Sequence, residues 1–267
     1  MSTPAAEPTP QIPSLDLFSL KGKNAFVTGG SRGIGAAIAI ALADAGASVC
    51  IAQRDTTNTD TADAIRDRGV RAEIISCDLD DMDAVKGVFQ QALDVMDGRI
   101  DVLVNCGGIL KRKEAVSVLE EEWDAVRAKL TLCICSNSQT AAGRHMVPRR
   151  SGKIVNIASI NSFIGGENYA PYSSSKGGVS QLTKALSNEW AKHNVQVNAI
   201  APGYVATDMN TALRPNAVVT AAAIIGCPAG RWGTPADYAG PAVFLCSDAS
   251  QYVTGEVLVV DGGLLGK

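Results

Sequence analysis

Tyr172 and Lys176 stand four residues apart in the segment SINSFIGGENYAPYSSSK, residues 159 to 176. On a helix that spacing puts them one turn apart on the same face, where an ammonium can act on a phenol. A free tyrosine is a poor proton donor and acceptor at neutral pH. A fixed positive charge a few ångströms away favours the phenolate and makes an acid/base of it. Thirteen residues before Tyr172, Ser159 follows KIVNIA, an apolar run of strand type. Its hydroxyl is therefore expected at a strand's carboxyl end, the side on which open α/β sheets bind ligands. Taken alone, a Tyr-x-x-x-Lys pair also fits an ordinary solvated helix face, so the surrounding elements must decide.

Those elements begin with NAFVT, GGSRGIG and AAIAIALADAGA over residues 24 to 47, a strand, a glycine-rich turn and a helix. Gly29 permits the tight turn, Gly33 lets backbone approach a pyrophosphate, and Gly35 lets the helix pack near the strand. The next strand, SVCIAQRD, ends in Gln53, Arg54 and Asp55. An acid at this end takes the ribose hydroxyls of NAD, and an arginine takes the extra phosphate of NADP. Gln53 stands at the acid's place, while Arg54 and Arg32 supply two guanidinia suited to a phosphate. Asp55 weighs the other way. The balance favours NADP(H), with NAD(H) as the alternative.

A helix over about 57–68 leads to the strand AEIISCDL, whose end presents Asp78 and Leu79 where an adenine ring can rest. A helix over about 82–96 leads to IDVLVN, whose end, Asn105-Cys106-Gly107-Gly108, lets backbone pass beside a cofactor. Helices over about 120–145, the strand KIVNIAS, the Tyr172 helix to about His193 and the strand ending at Pro202-Gly203 follow, with Thr207 just beyond. Residues 206–232 carry mixed signals and form a candidate lid over the substrate. A helix over about 235–247 and the strand EVLVVDGG complete the pattern. Strands alternating with helices predict a single Rossmann-type doubly wound parallel sheet of about seven strands, with helices on both faces and right-handed crossovers. The expected organisation is a disordered tail over 1–17 and one catalytic domain over 18–267.

The chain has 267 residues, 46% of them hydrophobic, enough for one large core. A net charge of −3 argues against nucleic acid or an anionic membrane as the main partner. No run approaches the ~18 apolar residues of a membrane span. Residues 1–13 hold four prolines and no basic residue, unlike a signal or transit peptide, so a cytoplasmic address is the default expectation. The seven cysteines show no paired spacing; Cys133 and Cys135 form a C-x-C with neither His145 nor His193 beside it, and no metal site is expected.

Five segments together carry a resemblance. TGGSRGIG at 28–35, NCGG at 105–108, Ser159, YSSSK at 172–176 and PGYVAT at 202–207 resemble, in order and spacing, the short-chain dehydrogenase/reductase family, over about residues 18–265. The resemblance implies that Tyr172 is the acid/base, that Lys176 favours its phenolate and bonds the nicotinamide ribose, and that Ser159 holds the carbonyl. It implies a pyrophosphate loop of Thr28, Gly29, Ser31, Arg32, Gly33, Ile34 and Gly35, an adenine contact at Asp78, and Asn105 behind the adenosine. Pro202, Gly203, Val205 and Thr207 match the nicotinamide-side loop. It also implies a homotetramer, built through the helices at 120–145 and 171–193 and the C-terminal segment at 252–263.

Two departures stand out. The family's frequent fourth catalytic residue, an asparagine seven positions after the tryptophan of E-x-W-D, is Leu130, which cannot hold a proton-relaying water, and N-N-A-G has become N-C-G-G. GGILKRKEA, SFIGG, NEWAKHNVQVNAIAPGYVAT and AGRWGTPAD resemble the group of 2-dehydro-3-deoxy-D-gluconate 5-dehydrogenases and gluconate 5-dehydrogenases. The expected function is NADP(H)-dependent hydride transfer between nicotinamide and a secondary alcohol or ketone, of a keto-sugar acid or a biosynthetic ketone. The alternative, motivated by Leu130 and Cys106, is a non-redox isomerase, cyclase or binding module that keeps the dinucleotide site. No lysine or arginine lies between Lys153 and Lys176, so a substrate carboxylate is expected to meet Arg214 or Arg231; Phe163, Tyr169 and Tyr204 suit a more apolar pocket.

Overall fold

The computed structural model describes residues 13–110, 112–127, 137–211 and 224–267. Seven strands form one sheet: β1 Asn24–Thr28, β2 Ser48–Gln53, β3 Ala72–Ser76, β4 Val102–Asn105, β5 Gly152–Ile157, β6 Val195–Pro202 and β7 Val257–Val260. Every pairing is parallel, in the order β3-β2-β1-β4-β5-β6-β7, so the expected doubly wound sheet is borne out. The helices are α1 Gly33–Asp44, α2 Asp60–Arg66, α3 Met82–Val95, α4 Glu120–Arg127, α5 Ser138–Arg149, α6 Ala170–Trp190 and α7 Ala239–Cys246.

The two-residue period of the strands sorts the core into two layers. Ala25, Val27, Val49, Ile51, Val102, Val104 and Val155 face α1, α2 and α7, while Phe26, Cys50, Leu103 and Ile154 face α3 and α5. Strands covered on both sides read as unbroken apolar runs, as the sequence shows. Order also begins earlier than residue 18. Asp16–Phe18 forms a 3-10 turn, and Phe18 packs on Phe244 with ring centroids 6.4 Å apart. Residues 1–12, the rest of the expected tail, lie outside the described residues.

At the amino end of the sheet, away from the site, a buried carboxylate fixes β1 against β4. Asp101 accepts from the Asn24 amide (3.0 Å), Arg99 Nε (2.9 Å) and Arg149 (2.9 Å). Burial opposes its charge, yet these donors hold the Asp101 carboxyl below the usual range. Beside it, His145 Nε2 accepts from the Ile100 amide (3.3 Å) and lies 2.5 Å from Arg149, so the ring is neutral with its proton on Nδ1. Burial, then the Arg149 charge, push its pKa down. Its contribution is therefore present above the unfolded value near ~6.5 and is lost as pH falls from there toward the lower folded value. The melting temperature of the wild type should drop between about pH 7 and about pH 5 by more than that of His145→Gln, measured by scanning calorimetry. Equal drops would remove His145 from the account.

Candidate active site

The glycine turn and the turn after β4 are built as one unit. Thr28, the last residue of β1, offers its hydroxyl to the amides of Cys106 (3.2 Å) and Gly107 (3.4 Å). Gly29 has φ 67°, and a Cβ there would lie 2.7 Å from the Gly107 Cα. A Cβ on Gly35 would lie 2.1 Å from the Gly29 carbonyl oxygen and 3.3 Å from the Cys106 sulfur, so α1 can start this close to the sheet only without a side chain. Cys106 packs, partly buried, against the core, and burial pushes its thiol up to about 12 despite the nearby Lys176, which disfavours the thiolate. Ile34 packs against the core, and the Ser31 carbonyl accepts from Thr61. Arg32 gives α1 no side-chain cap. The α1 amides point toward a place suited to an anion.

At the end of β2 the sequence drew attention to Gln53, and the structure gives it a local task. It is buried, and its Nε2 donates to the Asp55 (2.6 Å) and Asn58 (2.7 Å) carbonyls, closing the turn. Arg54 is exposed and makes no hydrogen bond or ion pair among the described residues. Arg32 pairs with Asp208 at 3.6 Å, with the two side chains 75% and 73% exposed, a contact worth less than about 1 kcal/mol. Asp78 accepts from the Asp80 amide just beyond β3, and Leu79 packs on the second core layer.

Beneath this edge lies a buried polar chain. Asn105 and Asn156 are register partners on β4 and β5, and Asn105 Nδ2 donates to Asn156 Oδ1 (2.9 Å). Gln139 donates to the same oxygen (2.8 Å), and Asn156 Nδ2 donates to Thr183 (2.9 Å). Asn105 Oδ1 has no partner among the described residues. Such an orphaned acceptor is costly unless something donates to it.

Ser159 follows β5, and Tyr172 and Lys176 lie on α6, which packs over β5 and β6. Lys176 is buried, its Nζ donating to the Ile157 carbonyl (2.6 Å) and lying 5.7 Å from the Tyr172 ring centroid. The lysine thus reaches to within two residues of Ser159. The Ser159 Oγ accepts from the Asn161 amide (3.1 Å), which leaves its own proton free to donate elsewhere. Two further bonds clasp the serine loop to the helix: Asn161 Nδ2 to Ser173 Oγ (3.2 Å) and Ser162 Oγ to the Lys176 carbonyl (2.7 Å).

Beyond β6, Gly203 lies where a Cβ would meet Asp261 at 2.8 Å, and Val205 is buried and bridges to Gly233. Thr207 Cγ2 would be 3.5 Å from a Cβ on Gly33, so the segment after Pro202 reaches across to the glycine turn. Of the expected lid over 206–232, residues 212–223, including Arg214, lie outside the described residues, as do Leu130, Cys133 and Cys135. Arg231 is committed elsewhere, bonded twice to Asp237 at 2.8 Å within a capping box with Thr234. The guanidinium that does stand near Tyr172 is Arg112, which the sequence reading passed over. Its Nε donates to Tyr169 OH (2.5 Å), one of its terminal nitrogens donates to Asn210 Oδ1 (2.8 Å), and Tyr169 packs edge-on against Tyr172 at 6.2 Å. It has no acidic partner among the described residues.

The chain is thus a parallel doubly wound sheet with Ser159 directly after β5 and with Tyr172 and Lys176 on α6. The family model described as enoyl-(acyl carrier protein) reductase matches residues 29–265, and the chain belongs to the short-chain dehydrogenase/reductase family. It is an oxidoreductase working between CH–OH and C=O. It is similar to the 2-dehydro-3-deoxy-D-gluconate 5-dehydrogenase of Escherichia coli (strain K12), at 41% identity over 95% of this chain and 99% of that protein. The gluconate 5-dehydrogenase of Gluconobacter oxydans (strain 621H) is 41% identical over 93% of this chain and 97% of its own length. Among solved structures, a gluconate 5-dehydrogenase from Burkholderia cenocepacia in complex with NADP and tartrate superposes with a TM-score of 0.89, at 37% identity, covering 95% of this chain and 99% of that one.

Proposed function

We propose that the chain interconverts a ketone and a secondary alcohol on a small acid of the keto-sugar type, using NADP(H). The observation that carries the reading is Lys176, anchored on the Ile157 carbonyl two residues before Ser159 and held 5.7 Å from the Tyr172 ring centroid. Tyr172 exchanges a proton with the substrate oxygen. Lys176 holds its ammonium 5.7 Å from the Tyr172 ring centroid, and Ser159 donates its free proton to the same oxygen.

The residues present fit a dinucleotide. The uncapped start of α1 suits a pyrophosphate, and the orphaned Asn105 Oδ1 suits a donor near the adenosine. Thr28, Gly29, Ser31, Arg32, Gly33, Ile34 and Gly35 would hold the phosphates, with Asp78 and Leu79 at the adenine and Pro202, Gly203, Val205 and Thr207 on the nicotinamide side. When bound, the nicotinamide supplies the hydride. The relative solved with NADP supports the phosphate form, and we assign its recognition to Arg54, which is exposed and makes no hydrogen bond or ion pair among the described residues. In fluorescence titrations, Arg54→Asp should weaken NADPH binding at least about tenfold while leaving NADH within about threefold. Equal NADPH affinity would show that the phosphate is read elsewhere.

The acid reading rests on Arg112, a partly buried guanidinium oriented by neutral groups and so still carrying a full charge for a carboxylate. Relatives acting on gluconate and keto-deoxygluconate point the same way. A panel of keto-sugar acids against uncharged ring ketones and diketones, followed by NADPH consumption, tests it: the acids should have the higher kcat/KM. A uniform preference for uncharged ketones would overturn it. A homotetramer belongs to the same proposal, supported by apolar side chains left exposed on the expected faces, Leu119 and Trp123 by α4 and Tyr252 and Val259 near the C-terminus.

A further inference from the structure

Tyr169 is the residue before α6, and three independent contacts fix it. Its ring rests on Gly166, where a Cβ would lie 3.0 Å from Cδ2, so a larger residue there would press on the ring. The ring meets Tyr172 edge-on at a centroid distance of 6.2 Å and an interplanar angle of 64°. Its phenol oxygen accepts from Arg112 Nε at 2.5 Å. The backbone repeats the clasp beside it, with the Lys113 amide donating to the carbonyl of Asn168 (3.1 Å), whose own φ is 67°. Asn210 closes the arrangement from the segment after β6, accepting from Arg112 and donating through Nδ2 to the Val205 carbonyl (2.9 Å).

We propose that Tyr169 is a positioning residue that serves both ends of the substrate at once: its hydroxyl sets the Arg112 fork for the acid group, and its ring props Tyr172 at the reacting carbonyl. This rests on the acid reading of Arg112 given above. A guanidinium is useful for a carboxylate only when its plane is fixed, because two parallel bonds require one orientation. Tyr169 fixes that plane through Nε and Asn210 through one terminal nitrogen; among the described residues the other terminal nitrogen bonds nothing. Both partners are neutral, so they orient the charge without cancelling it. Tyr169 touches both this fork and the Tyr172 ring, which couples recognition of the acid to the placing of the phenol.

The test is steady-state kinetics with NADPH on 5-keto-D-gluconate and on cyclohexanone, an uncharged ketone, for the wild type and for Tyr169→Phe, Tyr169→Ala and Arg112→Met. Tyr169→Phe keeps the ring and loses the hydroxyl. It should raise KM for 5-keto-D-gluconate about tenfold, the size of one charge-assisted hydrogen bond, with kcat within about twofold and cyclohexanone unchanged. Tyr169→Ala should in addition lower kcat on both substrates. A Tyr169→Phe enzyme that treats both substrates as the wild type does, or loses both equally, overturns the positioning role. If Arg112→Met still loses the preference for the acid in that case, the acid reading stands without Tyr169. If Arg112→Met keeps the wild-type preference, the acid reading itself fails.

Discussion

Replacing Tyr172 by phenylalanine should lower turnover by about two to four orders of magnitude while NADPH affinity stays within about a factor of two, because the substitution deletes the exchanged proton and little else. The Tyr172 hydroxyl makes no hydrogen bond among the described residues, so its loss orphans no buried partner, and the ring keeps its contact with Tyr169. Stability should therefore be unchanged. The comparison requires both measurements on one preparation: NADPH fluorescence titration and NADPH oxidation with a keto-sugar acid. Turnover within about tenfold of the wild type would remove Tyr172 from the proton's path.

Gly35→Ala should damage cofactor binding and fold together. The added methyl would sit 2.1 Å from the Gly29 carbonyl oxygen and 2.9 Å from its carbon, and a backbone carbonyl at a strand end cannot swing aside as a flexible side chain can. Either α1 moves off the sheet or the turn opens, and both displace the amides at the helix N-terminus. We expect a loss of roughly 1–3 kcal/mol in urea unfolding and at least a tenfold loss of NADPH affinity. Retention of both would mean that the turn yields more easily than its packing against Cys106 and Gly107 implies.

These two positions were legible in the sequence because their constraints are local. A glycine two residues into α1 and a tyrosine one turn before a lysine become readable once the flanking strand and helix patterns are set beside their spacing, and the strands declare themselves through unbroken apolar runs. Gln53 was less legible: its place in the pattern marks the ribose end of β2, but only the fold shows its amide turned inward onto Asp55 and Asn58. Arg231 was read as a lid cation, although Thr234-Pro-Ala-Asp237 already carried the spacing of a capping box whose acid could hold it. Arg112 was missed for a different reason. Its partners Tyr169 and Asn210 lie 57 and 98 residues away, on loops that only the sheet order brings together. The Asn105–Asn156 pair is hidden in the same way, since strand register joins residues 51 apart.

The most direct measurement of the central claim is NADPH consumption by the wild-type protein with 5-keto-D-gluconate, with the product quantified alongside. One NADPH should be oxidised for each carbonyl reduced to an alcohol. Product formed while bound NADPH keeps its absorbance, or tight NADPH binding with no oxidation across the whole ketone panel, would contradict it and favour a non-redox use of the fold.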